Sequence, residues 1–284
     1  MNVILITVDS LQKNYVSCLG NKWMQTPHMD RLVSQSTLFT CAYPESLPTL
    51  QVRRALHTGK YVFPFRDHVA RKGDWVKQPG WGPIPEQDTT LAEILKATGY
   101  RTGFVTDTYH YFKPGENFHR GFDQVTFIRG QEIDAYLSGG TTQRRKPEDF
   151  CLYASQPEQR TKSFRRHMHE VYFCNTALRQ SEEDYFAPQV FREAAKWLYQ
   201  NQGGEPFFLV VDSFDPHEPW DPPVYYRRMY DQDDNMEKDI IWSTYSSTSL
   251  LTERTMRRLR ANYAGEITMV DYWLGYFLET IERL

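Results

Sequence analysis

Met1-Asn2-Val3-Ile4-Leu5-Ile6-Thr7-Val8-Asp9-Ser10 is the stretch whose reading decides the fold. Val3 to Val8 is an unbroken apolar run rich in β-branched residues, the pattern of a strand covered on both faces in a parallel sheet. The stretch has no basic leader, no small-residue cleavage site and too few apolar residues to span a bilayer. No later segment approaches the length of a membrane helix, so the cytoplasm is the expected location and no membrane partner is expected.

Outward from that strand the pattern alternates. Thr26-Pro27 supplies an N-cap and a first-turn proline, with Met29, Leu32 and Val33 following at helical spacing. Thr37 to Cys41 reads as a short second strand. Pro48 to Gly59 reads as a helix entered through a proline and stopped by a glycine. Thr90 with Glu93 forms a capping box for a helix that stops at Gly99, and Tyr100 to Thr106 reads as the next strand. From about Gly130 to Glu183 the pattern loosens into an insertion, with Gly139-Gly140 and Arg144-Arg145-Lys146 exposed and a surface helix within Gln156 to His169. Regular structure returns with a helix through Val190, Phe191, Ala194, Ala195 and Leu198. A buried strand follows at Phe207 to Val211, then a loop opened by Asp221-Pro222-Pro223, then a long helix from about Leu251 to the end. Alternating strands and helices predict a layered α/β domain. Residues 1–284 are read as one such domain carrying the insertion at about 130–183.

The 284 residues include 40% hydrophobic and 15% aromatic side chains, enough for a sizeable core, and a formal charge of −3 that leaves no basic footprint for nucleic acid. Cys18, Cys41, Cys151 and Cys174 are scattered without CxxC pairing or zinc-ligand spacing, which predicts reduced structural thiols.

Four segments place reactive groups where strands end and loops begin, as α/β sheets do. Asp9 follows the first strand and is a hard oxygen ligand for a divalent cation, or else a capping or turn aspartate. Thr49 begins a helix, where free N–H groups and the helix dipole favour a bound anion and a deprotonated hydroxyl. Arg53, one turn later, could grip a tetrahedral anion, although a plain cap threonine and a surface arginine would look the same. Asp107 to Lys113, containing Tyr109 and His110, follows the strand ending at Thr106. His217 lies between Pro216 and Pro219, positioned as a general acid or anion ligand would be, or simply solvated.

Taken in order, these segments resemble the sulfatase family of the alkaline phosphatase superfamily. Asn2 to Ser10 is similar to the family's opening strand and first metal-ligand aspartate. Thr26-Pro27-His28-Met29-Asp30-Arg31-Leu32 resembles its TPNLDRL helix, and Leu56 to Lys60 its LLTGR ending. Gly99-Tyr100-Arg101-Thr102, Arg120-Gly121-Phe122-Asp123 and Phe214-Asp215-Pro216-His217-Glu218-Pro219 resemble later blocks. Tyr263-Ala264, Val270-Asp271 and Gly275 resemble the helix that precedes the last metal ligands.

The resemblance implies a three-layer α/β/α sandwich with a mostly parallel sheet, incomplete at its C-terminus and so with exposed sheet edge and reduced solubility. It implies hydrolysis of small-molecule sulfate or phosphate esters. Asp9 and Thr49 would bind one divalent ion, Mn or Ca, Thr49 would be the nucleophile, and Arg53 would stabilise the transferring group. His217 would contact substrate or protonate the leaving group.

Three departures qualify it. The family's formylglycine arises from a cysteine or serine in C/S-x-P-x-R, but here Thr49 and Gln51 stand at the first and third positions, so no formylglycine is expected. The Gly-Lys-Trp-His block reads Thr106-Asp107-Thr108-Tyr109, leaving Asp107, Tyr109 or His110 to meet substrate. The late Asp-His-Gly or Asp-Asn-Gly ligands are absent from the sequence. A phosphodiesterase or phosphonate monoester hydrolase on the same fold, and a non-catalytic anion- or partner-binding relative, are the alternatives.

Overall fold

The opening run forms β1 (Val3–Val8), and its neighbours are all parallel to it. The remaining strands are β2 (Arg101–Thr106), β3 (Gln124–Phe127) and β4 (Phe207–Ser213). The sheet order is β1-β4-β2-β3, with Leu5 opposite Val210 and Val105 opposite Val211. The computed structural model describes residues 1–65, 76, 78–138, 145–150, 159–204, 206–236, 238–242 and 247–284.

Successive side chains of a strand point to opposite faces, and β4 shows what that requires here. Leu209 and Val211 pack with Val190, Ala194 and Trp197 of α6 (Phe186–Asn201) and with Met269 and Val270 of α8 (Glu253–Arg283). Phe208 and Val210 face the other way, onto Leu50 of α2 (Thr49–Thr58) and Ala92 of α3 (Leu91–Ala97). Both faces are thus covered, which gives the three-layer α/β/α sandwich. The central strand has no polar face to offer water, and full burial of each such apolar side chain contributes about 1.5–3 kcal/mol.

Local devices follow the sequence. Thr90 accepts from the Glu93 N–H over 3.1 Å and Glu93 returns the bond to the Thr90 N–H over 2.7 Å. Gly59 ends α2 at φ 66°, its N–H donating to Ala55 O over 2.8 Å, a left-handed cap that suits glycine. Gly103 on β2 has the indole of Trp197 lying directly over its Cα, where a Cβ would collide.

Several expectations are corrected. Thr37 to Cys41 forms no strand; the segment is irregular and mostly exposed, with Phe39 77% accessible. Its apolar residues face no neighbouring strand that could complete a ladder. Thr26 makes no cap bond to α1 (Pro27–Ser34). Its hydroxyl instead takes the Ser17 N–H over 3.0 Å. Asp271 of α8 caps α1 from across the fold, accepting from His28 N at 3.1 Å and Met29 N at 2.8 Å. β3 was not foreseen, since four residues are too few to establish a period.

The insertion is less peripheral than the sequence suggested. Gly139, Gly140 and Arg144 lie outside the described residues, as do 156–158, where the charged segment begins. Arg145 is not a free surface cation: it stacks over Phe150 and Phe173 and grips Asp221 with two bonds of 2.6 and 2.9 Å. The helix, α5 (Gln159–Thr176), buries Met168, Tyr172 and Phe173 in its second half. Cys18, Cys41 and Cys174 form no disulfide among the described residues, and Cys151 is outside them. No described helix is long and apolar enough to cross a membrane.

Candidate active site

Parallel strands bring all their carboxyl ends to one edge of the sheet, and the chemistry gathers there. In register, Asp212 of β4 lies between Thr7 of β1 and Thr106 of β2. Its carboxylate is fully buried and fully used. Thr7 and Thr106 donate to it from the flanking strands, Thr108 donates over 2.9 Å, and Arg53 Nη2 donates over 2.9 Å. Burial alone would raise the carboxyl's pKa, but the Arg53 charge and these donors hold it below the ordinary value.

Arg53 is the hinge of the site. Its Nη1 lies 3.0 Å from Asp9 Oδ2, so one guanidinium spans the carboxylates that follow β1 and sit within β4. Burial opposes its charge, and Asp212 and Asp9 more than reverse that effect. Its Nε–H is buried and has no hydrogen-bond partner among the described residues. Thr49 is buried as the first residue of α2, one turn before Arg53. Residues at this spacing share a helix face.

His217 comes to the same place from the loop after β4. Its ring stacks on Phe214 at 4.3 Å, and its Nδ1 meets the Glu218 carbonyl at 2.8 Å, fixing the imidazole's orientation. Burial would lower its pKa, but Glu218, Glu132 and Asp9 outweigh burial and push it up to about 9. The structure therefore brings together Asp9, Arg53 and His217, with Thr49 one helical turn before Arg53 on α2.

The second group behaves differently. Asp107 is wholly enclosed: one oxygen takes the Phe214 N–H at 2.7 Å and the other takes Gln131 Nε2 at 2.9 Å. Gln131 also donates to Asp215 over 2.7 Å. Burial raises the pKa of both acids, and the charge of Asp215 lifts Asp107 further. Asp107 thus anchors the loop that carries His217, with its carboxylate buried and both oxygens hydrogen-bonded within the fold. Tyr109 and His110 are buried too, and both bond to Glu132, His110 Nε2 at 3.2 Å.

Asp212 and Glu132 escaped the sequence reading. A signal existed for the first: an aspartate continuing a buried apolar strand needs partners, and Val211-Asp212-Ser213 repeats Val8-Asp9-Ser10. Glu132 gave no such signal. It lies in the irregular insertion with φ 45°, and only the fold reveals its carboxylate between His110 and, at 3.7 Å, His217 Nδ1.

The sequence model of the family described as Sulfatase matches residues 1–284. The chain belongs to the sulfatase family. An arylsulfatase of Clostridium perfringens is 24% identical over 98% of this chain and 58% of its own length. A multifunctional alkaline phosphatase superfamily protein, PehA of Trinickia caryophylli, is 23% identical over 96% of this chain and 58% of its own. This sulfatase-family chain thus spans 58% of the length of both relatives. Among solved structures, the phosphonate monoester hydrolase of Agrobacterium radiobacter superposes with a TM-score of 0.66 at 19% identity, covering 99% of this chain and 59% of that one. The sandwich is thus the alkaline phosphatase-like fold.

A resident divalent ion can be tested against the residues present. Asp9 and Thr49 offer hard oxygens, the right kind of donor, although Asp9 Oδ2 is already ion-paired with Arg53 Nη1 at 3.0 Å. They are two ligands where such ions take about six or more. No group of three or more His, Cys, Asp or Glu able to hold a metal occurs among the described residues.

Proposed function

We propose that this chain carries the nucleophile half of a sulfate or phosphate ester hydrolase. The observation that supports it is the clamp: Arg53, fixed between Asp9 and Asp212, keeps its Nε–H unspent one helical turn from Thr49. A tetrahedral anion set between the α2 N-terminus and Arg53 meets backbone N–H groups, the positive end of the helix dipole and a guanidinium. The Thr49 hydroxyl attacks the sulfur or phosphorus and loses its proton to solvent. As the ester bond breaks, the His217 imidazolium gives its proton to the leaving oxygen. Water then releases sulfate or phosphate from Thr49. A divalent ion held by Asp9 and Thr49 would supply a lowered hydroxyl pKa.

Glu132 keeps His217 charged and oriented, and the Asp107–Gln131–Asp215 chain keeps the loop in place. Thr49→Ala should reduce turnover of aryl sulfate and aryl phosphate at least about 100-fold, with Thr49→Ser retaining part of it. Parent-like rates in Thr49→Ala would sink the mechanism.

A phosphate- or phosphonate-ester preference is the second reading, because a threonine alkoxide acting directly needs no formylglycine. Side-by-side rates on sulfate, phosphate and phosphonate esters of one phenol separate the two.

A further inference from the structure

A cavity of about 460 Å³ opens beside the Asp9–His217 centre, lined by Tyr15, Trp220, Leu251, Met256, Leu259 and Tyr263. Two covalent links tie it to the chemistry. Ser10, which also lines it, is the residue after Asp9 and donates to Asp9 Oδ1 over 2.9 Å. Trp220 is three residues after His217. The cavity therefore adjoins Asp9 and His217 through Ser10 and Trp220, while neither reactive residue lines it.

Its walls are preformed. Tyr263 Oη donates to Ser10 O over 2.6 Å and accepts from Gln12 N over 2.9 Å. Trp220 donates from Nε1 to Pro216 O at 3.0 Å and from its backbone N–H to Ile241 O at 2.7 Å. Tyr15 and Trp220 pack on Tyr263 with ring centroids 4.8 and 5.2 Å away. Tyr263 Oη and Trp220 Nε1 are committed; Gln12, Thr248 and the exposed Arg260 also line the cavity, and aromatic and aliphatic side chains make up most of the rest. A flat apolar group suits it, and the volume falls within the range of small-molecule sites, about 300–1,000 Å³.

We propose that this cavity receives the alcohol half of the ester and selects two fused apolar rings over a single ring. The proposal rests on the ester-hydrolase reading. It is tested by calorimetric titration of the full chain with 2-naphthol, with phenol and with inorganic phosphate.

The parent should bind 2-naphthol about tenfold or more tightly than phenol. Met256→Glu and Leu251→Asp, both at half-buried positions, should each weaken 2-naphthol about tenfold or more. Met256→Leu should bind it like the parent, and phosphate affinity should be the same in all four proteins. Equal affinity for the two alcohols, or 2-naphthol binding unmoved in both acidic variants, overturns the proposal. Neither alcohol carries an ester, so a protein that binds 2-naphthol but turns nothing over defeats the hydrolase reading alone. Turnover without 2-naphthol selectivity defeats the cavity alone.

Discussion

Arg53 Nη2 donates to Asp212 Oδ1 over 2.9 Å across the buried carboxyl edge of the sheet. Removing one partner of such a pair leaves an uncompensated charge, a loss of about 3–5 kcal/mol. Arg53→Ala should therefore lower the urea-unfolding free energy by that amount. The double variant Arg53→Ala/Asp212→Asn should be appreciably more stable than the sum of the single losses. Strict additivity would show that the two residues do not share one interaction.

His217 gives a prediction about pH. With its pKa near 9 it is an imidazolium at neutrality, and this charged form is lost as pH rises through about 9. If it is the proton donor, the basic limb of the metal-free protein's kcat/KM profile falls there. Glu132→Gln removes one of the carboxylates that hold the proton, so the limb and the imidazole NMR titration should move together toward lower pH. An NMR midpoint that stays put in Glu132→Gln would remove Glu132 from this role.

His57 works in the opposite sense. Enclosed by Phe104, Phe118 and Phe122 one turn beyond Arg53 on α2, it has its pKa lowered from 6.5 to about 4, chiefly by burial. The unfolded chain binds its proton more readily, so the stability from a neutral His57 is full above pH 6.5 and is lost as pH falls toward 4. A pKa lowered from 6.5 to about 4 corresponds to about 3 kcal/mol. His57→Leu should flatten the slope of unfolding free energy against pH in that window. A slope unchanged from the parent would rule His57 out as its source.

Gly103 should tolerate no side chain. A Cβ there meets the Trp197 indole, itself 1% exposed and packed on Phe207. Gly103→Ala is expected to destabilise by about 1–3 kcal/mol, read as a lower melting temperature. Gly103→Ala/Trp197→Leu, which opens the space, should lose less than the two single changes together.

Where function rides on a local pattern, the sequence was readable. Val3 to Val8, the Thr90–Glu93 box and the run ending at Val211 each announce an element within a few residues, and the aspartate after the first strand stands where the sheet delivers its ends. Legibility stops where partners come from afar. Asp271 caps α1 from a helix more than 240 residues away, which no window on Thr26-Pro27 could disclose. Asp107 looks like a ligand in sequence because it follows a strand, yet the fold turns it inward to Gln131 and the Phe214 N–H. Glu132 is the reverse case: an unremarkable acid in an irregular stretch, made chemical only by the histidines that two other loops bring to it.

Thr7, Asp212 and Thr106 stand side by side on adjacent strands, so the sheet itself acts as a ruler. Its graduations are about 4.8 Å apart and cannot be adjusted without breaking a ladder. The seat of Arg53 is consequently of one gauge, set by the strands rather than by the loops above them. Shape at this edge can therefore change only in the loops after β1 and β4, above the graduated row of strand residues.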